Sequence, residues 1–163
     1  MTDQTPDTPP QQPPMPGQRK AEAPPAPAPA PVTLAGALGE IVWLLTQSPV
    51  HRHLFLADLD WALMPPLLLS QFRTFRNGER IVGVALWATV SEEVDRRLAS
   101  GVAKLRPDEW KSGERLWLME LVAPWGGQEA MLEELQGSVF KGKSVKMHTL
   151  EPDGRRGVRT VQG

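Results

Sequence analysis

The sequence of 163 residues contains no cysteine and only three histidines. The lack of cysteine excludes a disulfide framework, a zinc site built on thiolates and a cysteine nucleophile. The histidines, His51, His53 and His148, leave few ligands from which a metal centre could be built. We therefore expect no metal centre, and no motif in the sequence indicates a permanently bound cofactor.

The sequence also has little net charge and no long apolar segment. Its 18 basic and 19 acidic residues give a formal net charge of -1, and this near balance argues against a surface for nucleic acid or anionic lipid. No apolar run approaches the roughly 18 residues that span a bilayer, and the polar N-terminus lacks the apolar core of a signal peptide. We therefore expect a cytoplasmic protein with no membrane span and no nucleic acid partner.

Residues 1–32 differ from the rest of the chain in composition. Eleven of the 17 prolines lie there, with no aromatic residue and almost no branched aliphatic residue. Such a segment cannot bury enough apolar surface to fold, and its alternating Ala and Pro residues favour an extended polyproline II spacer. We predict a disordered Pro/Ala-rich tail over residues 1–32 and a single domain over residues 33–163.

Helical periodicity begins directly after the tail. Apolar residues at helical spacing predict a first helix over residues 34–47. Ser48 and Pro49 then stand in the order that opens a helix, a hydroxyl N-cap followed by proline at the first helical position. A second helix is therefore expected from Pro49 to about Leu63, because the Pro-Pro pair that follows cannot continue it.

The rest of the sequence predicts strands with two further helices. Residues 69–90 predict an antiparallel hairpin, because two strand-like runs, SQFRTFR and ERIVGVALWAT, flank Asn77-Gly78, a dipeptide that accepts two positive φ angles in a tight turn. The nearly continuous apolar run of the second strand indicates a central strand covered on both faces. This mixed order of elements predicts an α+β fold. The remaining elements, in chain order, are a short helix between Ser91 and Gly101, a buried strand over Leu116 to Ala123, a short helix over Gln128 to Gln136, and two edge strands, SVKMHTL and RGVRTVQ, around a turn at residues 151–154.

His51 is the first candidate for chemistry. It would be the third residue of the predicted second helix, where unpaired backbone N–H groups and the helix dipole favour a neutral imidazole. A neutral imidazole can accept a proton as a general base, and the same helix end, at residues 50–52, can bind an oxyanion. A histidine near a helix start is also common as a plain surface residue, and Ser48 would cap the helix with or without an active site.

Glu120 is the second candidate, because it is the one carboxylate in a predicted strand of otherwise apolar residues. Strict alternation places it on the face of Leu118 and Val122. A buried carboxylate needs a hydrogen-bonding or charged partner. That partner can belong to a functional site. In a purely structural role, Glu120 would instead pair with an arginine such as Arg73, Arg76 or Arg115.

Basic residues are in excess near the C-terminus. Residues 141–159 contain six basic side chains against two acidic ones, Glu151 and Asp153. Such a local excess can attract an acidic partner, although a solvated surface also accounts for it.

Three short motifs, taken together, carry a family resemblance. They are S-P-x-H-R at residues 48–52, W-x-S-G-[DE]-R-x-W at residues 110–117, and A-P-[WF]-G at residues 123–126. In this order they resemble the RTX toxin-activating lysine acyltransferases, which move a fatty acyl chain onto internal lysines of a protoxin. The combination is far more specific than any one motif.

The resemblance implies a protein lysine acyltransferase with a GNAT-like fold, in which helices flank a mixed and mostly antiparallel sheet. It implies that His51 is the catalytic base and that Ser48 contributes to activity. The second catalytic residue of the family is an aspartate three residues before A-P-[WF]-G, and this sequence has Glu120 there. The implied donor is acyl carrier protein charged with a fatty acyl group. The implied substrate is an RTX protoxin or another secreted RTX-type protein, and a homodimer is possible.

Two other interpretations stay open. One is a family member that has lost the reaction and binds an RTX protein as a chaperone or adaptor. The change from aspartate to Glu120 favours it, as does a C-terminus shorter than we expect for the family. The other is a GNAT enzyme that uses coenzyme A, although the sequence contains no Gly-rich loop for a pyrophosphate.

Overall fold

The computed structural model describes residues 33–150, 154 and 156–163. The tail predicted over residues 1–32 and most of the turn predicted at residues 151–154 therefore lie outside the described residues. Within the described part, no helix is long and apolar enough to cross a bilayer. The helices are α1 (Leu34–Gln47), α2 (Leu59–Ala62), α3 (Met64–Leu68), α4 (Glu92–Ala99) and α5 (Gln128–Gly137), and the strands are β1 (Phe72–Asn77), β2 (Arg80–Val90), β3 (Arg115–Val122), β4 (Ser144–Leu150) and β5 (Arg156–Gln162). The predicted first helix is confirmed at both ends.

The five strands form one sheet in the order β1-β2-β3-β4-β5. Neighbouring strands are antiparallel except β3 and β4, which are parallel. A parallel pair needs a crossover connection, and α5 supplies it by carrying the chain from the end of β3 back to the start of β4. The mixed, mostly antiparallel α+β architecture is thus confirmed. The prediction that both C-terminal strands lie at the edge holds for β5 but is wrong for β4, which lies between β3 and β5.

The predicted hairpin is confirmed as β1 and β2, but with a different loop. Asn77 still pairs with Arg80, so the loop consists of Gly78 and Glu79. Gly78 has a φ of 61°, and Asn77 does not have a positive φ. A two-residue loop of this kind needs a positive φ only at its first residue. The prediction of two positive φ angles at Asn77-Gly78 is therefore wrong.

Helices cover the sheet on both faces. On one face, α1 and α4 bury Ile41, Leu44 and Leu98 in a cluster that includes Trp117 of β3. On the other face, α5 buries Leu135 in a second cluster with side chains from all five strands. Strand β2 lies between β1 and β3 and contributes buried side chains to both clusters. The prediction of a central strand covered on both faces is confirmed.

The second helix predicted from Pro49 to Leu63 is not formed, and that prediction is wrong. Residues 49–53 form turns, and α2 begins only at Leu59. The pair of prolines after Met64 lies in the first turn of α3. The N–H groups of a first turn have no partner within the helix, so prolines cost no hydrogen bond there. These prolines therefore lie in a new helix, and α2 ends before them at Ala62, close to the end predicted at about Leu63.

Ser48 ends α1 instead of capping a second helix. Its backbone N–H donates to the Leu45 carbonyl at 3.1 Å, and its carbonyl accepts the N–H groups of His51 at 3.1 Å and Arg52 at 2.9 Å. Its hydroxyl lies 2.8 Å from Nδ1 of His51, so it is engaged by a side chain. The Ser-Pro signal therefore does not start a helix in this protein, since residues 49–53 form turns and the Ser48 hydroxyl contacts the His51 ring.

The short helix predicted after Ser91 is confirmed as α4. The Ser91 hydroxyl accepts the Val94 N–H at 3.3 Å, which satisfies one of the unpaired donors of the first turn. Gly101 follows the helix with a φ of 96°, a backbone conformation that glycine adopts without steric penalty.

Candidate active site

Ser48, His51 and Glu120 lie together. The Ser48 Oγ atom is 2.8 Å from Nδ1 of His51, and Nε2 of His51 is 3.3 Å from Oε2 of Glu120. Ser48 and His51 come from the turn after α1, whereas Glu120 comes from β3, 69 residues beyond His51. The fold thus joins the three side chains that the sequence singled out, with the imidazole in the middle.

A β-bulge in β3 determines which way Glu120 points. Glu120 pairs with Leu86, and Leu118 pairs with the next residue of β2, so Met119 is the extra residue. One extra residue reverses the alternation of side chains along a strand. Leu118 packs in the cluster beside α5, whereas Glu120 turns towards His51 on the α1 face. The predicted shared face of Glu120 and Leu118 is therefore wrong.

The three side chains differ in their access to solvent. Ser48 is buried, the side chain of His51 is 18% exposed, and that of Glu120 is 52% exposed. Glu120 is therefore not the buried carboxylate that its apolar neighbours in β3 predicted. The reason is that β3 pairs with β4 only as far as Leu118, so β4 does not cover the strand at Glu120. Its carboxylate is accessible to an incoming substrate.

The purely structural pairing considered for Glu120 is not formed. Within the described residues, the ion pair of Glu120 is with His51. Each of the three candidate arginines has another carboxylate partner, Arg73 with Glu134, Arg76 with Glu40, and Arg115 with Glu92 and Asp95. Glu120 is thus a partner of the imidazole.

The neighbours of His51 indicate which ring nitrogen carries a proton in the resting site. A carboxylate only accepts hydrogen bonds, so the Nε2 atom beside Glu120 donates. In the neutral ring Nδ1 then carries the lone pair, and the Ser48 hydroxyl donates to it. In the opposite tautomer the Nε2 lone pair would face the negatively charged carboxylate. That arrangement is repulsive unless a cation lies between the two groups. An imidazole held in this way can take up a proton, and Glu120 then stabilises the imidazolium.

The oxyanion site expected at residues 50–52 is not formed. It required free N–H groups at a helix N-terminus, but no helix begins there. The N–H groups of His51 and Arg52 both donate to the Ser48 carbonyl. The helix dipole that was expected to act on the His51 ring is missing for the same reason, so both expectations fail with the predicted second helix.

A cleft of about 560 Å³ opens at His51 and Glu120. It forms because β3 and β4 pair only as far as Leu118 and Met147 and then separate. Its lining comes from the turn after α1, from the loop after α4, and from β3, β4, β5 and α5. The volume lies in the range of small-molecule sites in proteins. In the part of the chain that the structure describes, no group of three or more His, Asp or Glu side chains is placed to hold a metal ion.

Part of the basic excess of residues 141–159 is structural. Lys146 donates to both carboxylate oxygens of the buried Asp95, at 2.8 and 2.9 Å. Burial, the largest influence, raises the pKa of Asp95. Hydrogen bonds from Lys146 and Trp117 and the charges of Lys146 and Arg115 outweigh burial and bring this pKa below its ordinary value. Lys146 therefore has a structural role as the partner of Asp95.

Another part of the basic excess faces the candidate site. Arg156 and Arg159, both on β5, line the cleft that contains His51 and Glu120. Positive charge here can attract an acidic group towards the imidazole.

The motif at residues 110–117 builds a scaffold beside the site. The Ser112 hydroxyl donates to the Glu109 carbonyl at 2.9 Å and accepts the Ser91 N–H at 3.0 Å. A side chain on Gly113 would meet backbone atoms at the end of β2 and the start of α4 at 2.5 and 2.7 Å. Ser112 and Gly113 of the motif therefore hold the backbone in place, which is a structural role.

A second, apolar pocket of about 110 Å³ lies against His51 and Glu120 and was not predicted. Its lining comes from several separate segments, so the periodicity of any one segment does not reveal it. The apolar run from Leu54 to Leu56 is a local sequence signal for this pocket. In the structure, Phe55 and Leu56 of this run are 78% and 82% exposed. Exposed apolar side chains that lie together mark surfaces that bind.

Comparison with known proteins decides the family. A family model described as the RTX toxin acyltransferase family matches residues 30–162. The chain belongs to the RTX toxin acyltransferase family. The resemblance drawn from the three motifs is therefore confirmed, and this family member is an acyltransferase.

Individual relatives are similar over most of the chain. Lysine-acyltransferase RtxC of Vibrio cholerae is 32% identical over 104 residues, which cover 63% of this chain and 68% of that protein. RTX-I toxin-activating lysine-acyltransferase ApxIC of Actinobacillus pleuropneumoniae is 28% identical over 120 residues, 74% and 69% of the two chains. An uncharacterized protein of Synechocystis is 29% identical over 126 residues, 76% and 86% of the two chains. The first two relatives are both named as lysine acyltransferases.

Proposed function

We propose that this family member transfers a fatty acyl group from acyl carrier protein to internal lysines of an RTX-type protoxin or secreted protein. The observation that carries the proposal is the position of His51. Its ring bonds to Ser48 and Glu120 and lies where the wide cleft meets the apolar pocket. The names of the relatives support lysine as the acceptor.

The acceptor lysine must lose a proton before it can attack. Its ε-amine is protonated near pH 7, because its reference pKa is about 10.4. Glu120, half exposed at the cleft, can bind this ammonium group beside His51. With a cation there, the Nε2 lone pair no longer opposes the carboxylate, and the tautomer in which Nδ1–H donates to Ser48 becomes favourable. Nε2 then takes the proton from the ammonium.

Acyl transfer follows at the thioester carbonyl carbon. The neutral amine attacks this carbon, and a C–N bond forms as the C–S bond breaks. The imidazolium of His51 gives its proton to the leaving thiolate, and the second proton of the attacking nitrogen is released to solvent. The products are an amide on the lysine and the free thiol of the carrier. Glu120 stabilises the imidazolium between the two proton transfers.

Acyl carrier protein is the proposed donor because two basic side chains, Arg156 and Arg159, line the cleft. Charge of this sign can steer an acidic carrier towards the site. We expect faster transfer from the acylated carrier than from acyl coenzyme A at matched concentration. Equal or faster transfer from acyl coenzyme A would favour the coenzyme A-dependent alternative.

A protein that binds an RTX partner without acylating it is the alternative function. The glutamate at the family's aspartate position favours it, since one added methylene moves the carboxylate by about 1.5 Å, a displacement that can cost orders of magnitude in rate. The contact of Glu120 with His51 weighs against it. Under this alternative the partner would bind and its lysines would stay unmodified.

Co-expression with an RTX protein tests the proposal. Mass spectrometry of the RTX protein is expected to show acylated lysines with the wild-type chain and none with His51→Ala. The matched control is His53→Ala, because His53 is exposed in the same turn and lies outside the hydrogen-bonded group. Unmodified lysines with the wild-type chain, while the RTX protein is still captured in a pull-down, would support the binding alternative.

Further parts of the proposal follow from the same family resemblance. They are a GNAT-like fold and a homodimer. Two other parts rest on composition instead, a cytoplasmic location and a single folded domain over residues 33–163 that works without residues 1–32. The last part is the simplest to test, because a tail without apolar side chains adds nothing to a core. A chain that starts at Val32 is expected to acylate at the wild-type rate. Loss of its cooperative melt or of its acylation would contradict this part.

A further inference from the structure

We propose that the apolar pocket beside His51 holds the acyl chain, and that Ala62 and Ala103 determine which chains fit. This inference rests on the proposed acyl transfer and names the acyl site within it. Two cavities meet at His51 and Glu120. The reaction brings two substrates to these side chains, a thioester with its hydrocarbon chain and a lysine on another protein.

The lining of the pocket matches a hydrocarbon chain. Apart from His51 and Glu120, it consists of five leucines, two tryptophans, two alanines, one methionine and one valine. The indole N–H of Trp110 donates to the Trp61 carbonyl at 3.1 Å, so this polar edge is satisfied within the wall. A thioester whose carbonyl lies at His51 can place its chain against apolar side chains only.

The cleft has a different character. Gln128, Glu129, His148, Arg156 and Arg159 contribute to its lining beside apolar side chains. A hydrocarbon chain there would cover charged groups and remove them from water, which is unfavourable. A lysine side chain and the polar arm of a carrier thioester suit such a lining. The polarity of the two cavities therefore assigns the chain to the pocket and the other groups to the cleft.

The two cavities adjoin each other at a junction of four shared lining residues. His51, Ala103, Met119 and Glu120 line both of them. A thioester can therefore lie across the junction, with its chain in the pocket and its sulfur in the cleft. Ala103 has the smallest side chain of the four, because it ends at Cβ.

The size of the pocket limits how much of the chain it encloses. Its volume is about 110 Å³, room for about four methylene groups if each takes about the 30 Å³ share of a water molecule. A long chain therefore extends beyond it. Leu54 lines the pocket and is 40% exposed, and the neighbouring Phe55 and Leu56 are more exposed still. These side chains form an apolar path for the rest of the chain.

Substitutions at the two alanines test the assignment. Ala62→Leu and Ala103→Leu each add three carbon atoms, close to the number of methylenes that the pocket encloses. The full-length enzyme is given an equimolar mixture of carrier proteins charged with acyl groups of two to sixteen carbons. Mass spectrometry then counts the acyl groups on the acceptor lysine. We expect each variant to lower the ratio of long to two-carbon products by about tenfold or more, the discrimination that a pocket misfit of a few methylenes produces.

Two controls keep this experiment decisive. Thermal melts followed by circular dichroism show whether each variant folds. Because the two alanines lie in separate segments, a variant that does not fold still leaves the other variant to test the assignment. Leu132→Phe is the matched variant of the cleft, because Leu132 lines the cleft and not the pocket. It is expected to slow all donors alike. A shift in chain length with Leu132→Phe and none with the alanine variants would place the chain in the cleft and overturn the proposal.

Tryptophan quenching tests the pocket without the reaction. A free fatty acid brominated along its chain quenches the fluorescence of tryptophans that it touches, and Trp61 and Trp110 line the pocket. We expect quenching in the wild-type chain, a smaller effect in Trp61→Phe, and loss of the effect in Ala62→Leu. Trp125→Phe is the control, because Trp125 is exposed and outside the lining of both cavities. Quenching that Trp61→Phe and Ala62→Leu leave unchanged would overturn the proposal.

The two experiments separate this inference from the proposed function. If the wild-type chain acylates no lysine but quenching still depends on Ala62, the pocket is a hydrocarbon site and the proposed acyl transfer fails. If lysines are acylated and neither alanine variant changes the chain lengths or the quenching, acyl transfer stands and the inference fails.

Discussion

The Nε2 atom of His51 lies 3.3 Å from Oε2 of Glu120. Two irregular features produce this contact, the tight turn after Ser48 and the β-bulge at Met119. The turn brings the imidazole to the sheet, and the bulge rotates the carboxylate towards it. The longer glutamate spans the remaining gap, whereas an aspartate at this position would end about 1.5 Å short unless the backbones moved closer.

Ser48→Ala is expected to lower the rate of acyl transfer by about 10- to 100-fold, the loss that misplacement of a catalytic group produces. The substitution removes the hydroxyl that bonds to Nδ1 of His51, so the ring is less firmly held. Because Ser48 is buried, we also expect a loss of about 1 kcal/mol in the free energy of unfolding. Steady-state rates and urea unfolding measure the two effects.

Ser48→Thr is the control for this prediction. It keeps the hydroxyl and is expected to retain more activity than the alanine variant. Wild-type rates in Ser48→Ala would show that the hydroxyl does not position the imidazole.

Two buried carboxylates predict acid sensitivity. The hydrogen bond from Arg97, the largest influence, lowers the pKa of Glu109, and the pKa of Asp95 is also below its ordinary value. A carboxylate of this kind stabilises the fold fully above its ordinary pKa and loses that effect as the pH falls through the folded-state value. We expect the free energy of unfolding to decrease as the pH drops below about 4.5, the ordinary pKa of Glu109. Urea unfolding from pH 7 to pH 3 measures this decrease.

Glu109→Gln separates one of the two contributions. Its carboxylate bonds to Arg97 and to the Arg106 N–H, so we expect a loss of about 2 kcal/mol at pH 7. The stability of this variant should also depend less steeply on pH below 4.5, the ordinary pKa of the carboxylate that it lacks. An acid dependence as steep as that of the wild-type chain would show that Glu109 does not contribute to it.

Gly113→Ala is expected to lower the free energy of unfolding by about 2 kcal/mol, since the added Cβ is an overpacking change against atoms that cannot move aside. It would lie 2.5 Å from the Val90 carbonyl oxygen and 2.7 Å from backbone atoms of Ser91. Gly39→Ala in α1 is the matched control, because nothing lies within 4 Å of its added Cβ. Alanine there should be neutral or stabilising by up to about 1 kcal/mol. Equal melting temperatures of the two variants would contradict the proposed role of the motif glycine.

Elements with strong local signals were predictable from the sequence. The first helix follows from its apolar period, and α4 follows from the cap at Ser91 and the glycine at position 101. The hairpin follows from two strand-like runs around a turn dipeptide. In each case the residues that define the element are close in sequence, so local preferences and the final contacts agree.

The candidate site could be predicted only in part. Its residue types were apparent, but the Ser-Pro pair at position 48 favours a helix start locally, whereas residues 49–53 form turns and the His51 ring contacts Glu120 of the distant strand β3. The orientation of Glu120 depends on one extra residue in β3, and strict alternation cannot reveal a bulge. The position of β4 between β3 and β5 in the sheet depends on the crossover connection through α5. These features are set by contacts between distant segments.

Glu120→Asp is expected to retain part of the activity. It restores the residue of the family motif, but the shorter side chain moves the carboxylate away from Nε2 of His51 in a site shaped for glutamate. We expect a rate about 10- to 100-fold below that of the wild-type chain, on the scale of a displacement of about 1 Å. Activity below that of Glu120→Gln would contradict a role for the charge.

The rate of acyl transfer by Glu120→Gln, measured beside His51→Ala and the double variant, tests most directly whether Glu120 acts through the imidazole. The amide keeps the volume but not the charge, so we predict a loss of about 100- to 10,000-fold in kcat. The melting temperature should change little, because the side chain is half exposed. In the His51→Ala background the same substitution should lower the rate no further, since the two residues act as a unit. Full activity of Glu120→Gln, or a double variant as slow as the product of the two single losses, would contradict the account.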